Sequence, residues 1–388
     1  MEFIFYLSVF ILFYSYLGYG LIIFVLVRVK NWLSPGSSTL IAEIPGVSLI
    51  IAAYNEAEIL TEKISNCLSL TYPADRFEVI FVLDGSTDQS AEIMLDYPQI
   101  KTLYEPARSG KTAALNRAAA VAANEILIFS DANTMLNREA IREISRCYAD
   151  PRVGGVAGEK KVMKAGFNEA DEGEGLYWRY ESMLKKLDSA LYTVVGAAGE
   201  LFSIRRQLFT SLDERIILDD FVLSMRITMK GYMVKYAATA YAMELPSADV
   251  REELKRKIRI SAGAFQAMGM LVPLLNMFRY PVVSFQYISH RVLRWTLCPL
   301  ALLTAFASNF FLLPSVYFGL MLGLQGCFYG AALTGWALTQ AGKKAGPFYV
   351  PYYFTIMNFA LIAGFIRFSQ QKQGAVWEKA RRVTSITG

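Results

Sequence analysis

The chain has 388 residues, 54% of them hydrophobic and 19% charged, with a net charge of +5 and one histidine. Charge is absent from three stretches, Phe3–Val27, Trp295–Gly342 and Ala345–Ile366; the remainder carries it at about a quarter of its positions, as an ordinary soluble domain does. The composition therefore mixes membrane segments with a globular domain. It excludes a wholly soluble enzyme, a disordered chain and a protein that binds nucleic acid through bulk charge. Cys67, Cys147, Cys298 and Cys327 are widely spaced and suggest neither a zinc site nor a disulfide framework. With His290 the only histidine, a Ser-His-Asp triad is disfavoured, and acid–base chemistry falls to carboxylates, lysine or tyrosine.

Phe3–Val27 is long enough to cross a hydrocarbon core of roughly 30 Å. Met1-Glu2 offers no basic lead segment, so a spanning helix is expected rather than a cleaved signal peptide. Arg28 and Lys30 follow and place the next segment in the cytoplasm. The run from Trp295 reads as two spans with a turn near Pro314-Ser315, and Ala345–Ile366 as another, four in all. That count conflicts with Arg367, Lys372, Lys379, Arg381 and Arg382, which favour a cytoplasmic tail where three later spans would put it outside. Either one candidate is re-entrant or Met268–Phe285 holds a further segment. The expected layout is an N-terminal transmembrane helix (1–30), a cytoplasmic domain (40–255), a basic, amphipathic membrane-interface segment (256–290), transmembrane helices (291–368) and a basic tail (369–388). A multi-pass protein of the cell membrane is expected.

Within the polar region, Val47–Ala52 reads as a buried strand, and Glu56–Leu70 as a helix with Ile59, Leu60, Ile64, Cys67 and Leu68 on one face. Phe77–Leu83, Ile100–Tyr104 and Ile126–Ser130 follow as strands, with an Ala-rich helix over Lys111–Ala123. The alternation predicts an α/β domain with a Rossmann-type parallel sheet. Polar residues stand at successive strand ends: Tyr54, Asn55 and Glu56; Asp84-Gly85-Ser86; Arg108 and Lys111; Asp131-Ala132-Asn133. Ligands bind at the carboxyl ends of such strands, so these groups predict one shared site for a phosphorylated ligand. A loop or helix cap (Ser86 or Asp88) would explain any one of them, but not four in succession. Gly110-Lys111-Thr112 imitates the end of a P-loop, yet Glu105 stands where its first glycine belongs, and no Gly-x-Gly-x-x-Gly follows a strand.

Ser48-Leu-Ile-Ile-Ala-Ala-Tyr-Asn-Glu56, Leu83-Asp-Gly-Ser-Thr-Asp88, Arg108-Ser-Gly-Lys-Thr-Ala-Ala-Leu-Asn116, Ser130-Asp-Ala-Asn133, Leu218-Asp-Asp-Phe221 and Arg256-Lys-Ile-Arg259 occur in that order. Together they resemble the inverting glycosyltransferase family two, in particular its membrane-integrated synthases of cellulose, hyaluronan and poly-N-acetylglucosamine. The resemblance runs from about residue 45 to 300, through His290-Arg-Val-Leu-Arg-Trp295. It implies a GT-A-like domain that moves a sugar from a nucleotide donor, UDP-linked in most such enzymes, to a hydroxyl of a glycan or lipid-linked acceptor beside membrane lipids. It also implies Mg²⁺ or Mn²⁺ at Asp131 and Asn133, although Asn133 stands where the family has a second aspartate. Ala53, Tyr54, Asn55, Glu56, Asp84, Arg108 and Lys111 would line the nucleotide cleft.

By the same resemblance Asp220 is the general base, and Asp219 takes the place of the family's glutamate; Asp219 equally suits a cap on the helix Phe221–Met229. Arg256 and Arg259 match the arginine motif that caps the pyrophosphate. Taken alone, Arg251–Arg259 suits anionic lipid headgroups as well. Arg256 replaces the motif's glutamine and Ile260 its acceptor-holding tryptophan, which leaves single addition open beside polymerisation. Two other readings stand: a polyprenyl-phosphate sugar synthase, and a non-catalytic membrane protein with a degenerate domain. Retention of Asp84, Asp131 and Asp220 argues against the second.

Overall fold

A computed structural model describes residues 1–34, 44–162, 170–244, 250–313 and 315–371. The chain opens with the apolar helix α1 (Glu2–Leu33), interrupted by one π turn at Tyr14–Gly18. Strands β1 (Val47–Ala53), β2 (Phe77–Asp84), β3 (Lys101–Glu105) and β4 (Ile126–Asp131) then alternate with α2 (Ala57–Leu68), α3 (Ser90–Leu95) and α4 (Lys111–Val121). These strands pair in parallel in the order β3-β2-β1-β4. Helices cover both faces, so β1 is buried along nearly its whole length and reads as a continuous apolar run rather than an alternation.

The second half departs from the parallel expectation. It comprises β5 (Thr134–Leu136), α5 (Ala140–Cys147), β6 (Val153–Val162), α6 (Ala170–Leu191), β7 (Leu201–Arg205), α7 (Asp219–Met229) and β8 (Met233–Glu244). The sheet continues β4-β7-β6-β8-β5: β7 runs antiparallel to β4 and β6, and β5 to β8, while β6 and β8 are parallel. The eight-stranded sheet is therefore mixed. β6 mixes three glycines with Glu159, Lys160 and Lys161 instead of forming an apolar run, which is why the sequence does not announce it. At Gly158 an added Cβ would lie 2.7 Å from the Leu201 side chain, so this pairing needs the missing methyl.

Beyond the sheet come α8 (Val250–Met270) and α9, which starts as Pro281–Tyr287, widens to a π turn at Ile288–Val292 and closes with Leu293–Trp295. α10 (Leu297–Phe310), α11 (Val316–Gln340) and α12 (Gly346–Ser369) complete the described residues. Among these, three helices are long and apolar enough to cross a membrane: α1, α11 and α12. The charge-free run from Trp295, read as two spans, divides unequally, because α10 has 14 residues and reaches only about 21 Å. The helix is bent at Thr296 (φ −112°) just ahead of Pro299, whose ring and missing N–H disturb the preceding turn. Met268–Phe285 is no further span; it holds the end of α8, a short 3₁₀ turn at Val272–Leu275 and the start of α9. Of the basic tail, residues 372–388 lie outside the described ones.

Contacts orient these helices. Phe5 packs edge-on against Phe318 (5.3 Å between rings), and Ser8 pairs with Thr304. At the other end of α1, Gly20 lies against Tyr180 and Leu184 of α6, and Lys30 donates to the carbonyls of Ala190 and Leu191. α12 ends on α8, with Gly364 against Ser261 and Phe365 edge-on to Phe265 (5.1 Å). Between α1, α6 and α9 lies a buried charged joint. His290 Nδ1 is 2.6 Å from Asp188 Oδ2 and its Nε2 3.3 Å from Glu181, while Arg294 donates to Glu181 at 2.6 Å and Tyr19 donates to Asp188. The single histidine thus ties the sheet domain to the apolar helices.

Candidate active site

The predicted strand-end loops converge at the carboxyl edge of β1, β2 and β4. A pocket there is lined by Ala52, Ala53, Tyr54, Asp84, Arg108, Gly110, Lys111 and Ala114. The Arg108 guanidinium stacks over the Tyr54 ring at 3.6 Å, an arrangement that suits a flat base. Asn55 adopts the left-handed conformation (φ 52°) and clips the β1 loop to the β2 loop, accepting from Thr87 N–H at 2.8 Å. Glu56 is buried at the start of α2. Asp88, offered as a cap, accepts from Ala57 N–H (2.9 Å) and Ser90 N–H (3.1 Å), so it ties α2 to α3.

Asp84 is buried, and its oxygens accept from Gly110 N–H (2.6 Å), Ser109 N–H (3.1 Å) and Arg117 (2.5 Å). It shapes the loop entering α4. Gly85 (φ 69°) makes this possible, since a Cβ there would strike Arg108 at 2.7 Å. Arg117 was missed by the sequence reading, as was Lys63. Lys63 is fully buried and donates to Ser130 Oγ (2.9 Å) and Thr134 O (2.7 Å), bracing the loop that carries Asp131. A lysine in the apolar stripe of α2 was the available signal.

The acidic residues gather around one cation. Lys111 Nζ donates to Asp131 Oδ1 at 2.5 Å. A Cβ added at Gly199 would lie 3.2 Å from both Lys111 Nζ and Asp220 Oδ2, which places lysine and aspartate side by side. Burial works against the Lys111 charge, but Asp131, Asp219 and Asp220 outweigh it and hold the ammonium well above its ordinary range. Asp220 is pushed up to about 7, first by burial and then by the neighbouring Asp219 charge, with Lys111 pulling the other way. Asp219 is raised too, chiefly by burial.

α7 begins at Asp219 itself, two residues earlier than expected; its N-cap is Leu218, so Asp219 is not the cap. Asp219 Oδ2 is buried without a hydrogen-bond partner among the described residues. Asp131 offers a carboxylate and Asn133 an amide oxygen, a hard donor set suited to a small divalent cation. No group of three or more His, Cys, Asp or Glu able to hold a metal occurs among the described residues. Phosphate oxygens of a substrate would have to complete the shell, as is usual for Mg²⁺.

Arg256 sits apart from the donor pocket. It makes a two-pronged pair with Glu253 (3.0 and 3.1 Å), and Glu244 and Glu200 also favour its charge. Lys160 bridges Glu200 and Glu244, and holds Glu200 far below the usual range against the effect of burial. Glu200 in turn raises Asp220, so this cluster adjoins the base rather than Asp84. Arg259 follows one turn later on α8. Asn116, last residue of the Arg108–Asn116 motif, grips the loop before α7 by donating to Leu212 O and accepting from Leu212 N–H.

Residues 48–212 match the family described as Glycosyl transferase family 2. A poly-beta-1,6-N-acetyl-D-glucosamine synthase of Staphylococcus epidermidis is 25% identical over 236 residues, 58% of this chain and 56% of that protein. A beta-monoglucosyldiacylglycerol synthase of Synechocystis is 29% identical over 203 residues, 49% of this chain and 42% of that protein. These matches span about half the length of the curated relatives. The mannosyltransferase PcManGT from Pyrobaculum calidifontis, solved with GDP-Man and Mn²⁺, is 22% identical. It covers 95% of this chain and 99% of its own with a TM-score of 0.68, and so shares the mixed-sheet GT-A fold. The motifs from Ser48 to Asn133 thus stand around one cleft within residues 48–212, the part of the chain that matches Glycosyl transferase family 2.

Proposed function

We propose that the protein is a membrane-bound inverting glycosyltransferase that moves a sugar from a nucleoside diphosphate donor, UDP-linked by preference, to a hydroxyl of a glycan or lipid-linked acceptor. The observation that carries this reading is Asp220, a buried carboxyl pushed up to about 7 beside Lys111, which itself pairs with Asp131. Asp220 takes the proton from the acceptor hydroxyl, whose oxygen attacks the anomeric carbon on the side opposite the nucleotide. That geometry inverts the anomeric centre. Tyr54 and Arg108 receive the base, Lys111 faces the phosphates, and Arg259 meets the charge that grows on the pyrophosphate as the bond breaks, with Arg256 joining it only by leaving Glu253. Mg²⁺ or Mn²⁺ held by Asp131 and Asn133 would neutralise phosphate charge when bound. The names of the relatives, a polysaccharide synthase and a glycolipid synthase, support an acceptor of that kind, and PcManGT's complex with Mn²⁺ supports the metal.

The helix contacts favour an anchoring scheme. α1 and α12 both end beside the sheet domain, while Phe5 and the start of α11 meet at the opposite end. In this scheme the short α10, continuing from α9, leads away from the domain and α12 returns to it, while α11, although long enough to cross, would join their far ends. Three crossings would put Arg367 and the tail on the catalytic side, where their charge belongs. The test of function is Asp220→Asn: donor binding should persist while sugar transfer falls by about 10²–10⁴-fold. Undiminished transfer in this variant would overturn the assignment.

A further inference from the structure

We propose that Lys111 is a built-in competitor of the divalent cation, holding Asp131 until a nucleoside diphosphate arrives, so that donor and metal bind as a mutually dependent pair. The inference rests on the nucleotide-sugar reading above and adds a coupling device to it. Lys111 Nζ is 2.5 Å from Asp131 Oδ1, and a divalent ion needs that same carboxylate. Asn133 brings no charge to the motif, so Asp131 is the one ionised ligand it can offer, and losing it to an ammonium matters more than where two aspartates share the ion.

The position of Lys111 says what would release it. Lys111 is the first residue of α4, after Gly110 (φ 99°), which has no side chain to cap the helix; the Asp84 carboxylate takes the Gly110 and Ser109 N–H groups just ahead of it. A helix N-terminus disfavours a cation and favours a phosphate. Lys111 is tolerated there because Asp131, Asp219 and Asp220 surround it. A diphosphate entering the pocket beside Gly110 would satisfy the helix end and the ammonium together. Lys111 then re-pairs with phosphate, Asp131 is freed, and the metal takes its place against the same phosphates. No bond is made or broken in this exchange; one ion pair replaces another.

The full-length protein in detergent can be titrated with Mn²⁺, reading free Mn²⁺ by electron paramagnetic resonance, with and without UDP or GDP. Nucleotide should tighten Mn²⁺ binding by about tenfold or more, and Mn²⁺ should tighten nucleotide binding by the same factor, since such coupling is reciprocal. In Lys111→Met, nucleotide-free Mn²⁺ should bind about tenfold tighter, and the coupling factor should shrink by about that much without vanishing, since phosphate oxygens still complete the metal's shell. Lys111→Gln should behave alike, and Lys111→Arg, which keeps the charge, should keep the coupling. Unchanged or weaker nucleotide-free Mn²⁺ binding in both neutral variants would overturn the proposal, with the nucleotide reading left standing if UDP or GDP still binds. Failure of the wild type to bind either nucleotide, with or without Mn²⁺, would overturn the reading beneath it.

Discussion

Asp219→Asn offers a direct measurement of how the site tunes its base. The Asp220 carboxyl stands at about 7, against about 3.9 for an unperturbed aspartate. Burial is the larger cause, the Asp219 charge the next, and Lys111 opposes both. A general base works only when ionised, so transfer should rise with pH through about 7 and level off above it. Asparagine keeps the shape of Asp219 and removes its charge, so the Asp220 carboxyl must fall and the acid limb must move to lower pH. If that charge carries about one unit of the rise, the midpoint drops to about 6. At about pH 6 the wild type would then run at about a tenth of its plateau and the variant at about half, a roughly fivefold gain in relative rate. Nucleotide release by detergent-solubilised protein, with the nucleotide sugar it turns over best, gives both profiles. A wild-type limb near 4, or a variant midpoint that stays put or rises, would refute the reasoning.

Two further outcomes follow from other parts of the molecule. Arg259→Ala should nearly abolish transfer in detergent, where no anionic lipid is present, and Arg259→Lys should retain only part of it, because lysine keeps the charge without the two-pronged geometry; wild-type rates for the alanine variant would return this segment to a headgroup role. Glu181→Leu should cost about 3–5 kcal/mol by leaving Arg291 and Arg294 without their buried carboxylate. A fall of several degrees in the thermal midpoint would show it, and an unchanged midpoint would mean that the joint is not needed to hold α6 to α9.

The local pattern was enough to place β1, β2 and β4, because a strand buried on both faces reads as an apolar run, but that β4 pairs with β1 and not with its sequence neighbour β3 was decided by the tertiary structure. It also placed Tyr54, Asp84, Arg108, Lys111 and Asp131, since each closes or follows one of those runs. Only the tertiary structure decided which way β7 and β5 run, because strand partners far apart in sequence are chosen by packing rather than by pattern. The same holds for the buried ties. Lys63 beneath the Asp131 loop, Arg117 on Asp84, and Lys160 between Glu200 and Glu244 each join residues that no spacing rule connects. Hydropathy located the apolar segments, since burying twenty uncharged residues in lipid is a property of the segment itself. Where α12 ends, and hence which side its basic end faces, depends on Gly364 and Phe365 meeting α8, a contact between helices about a hundred residues apart that composition alone leaves undetermined.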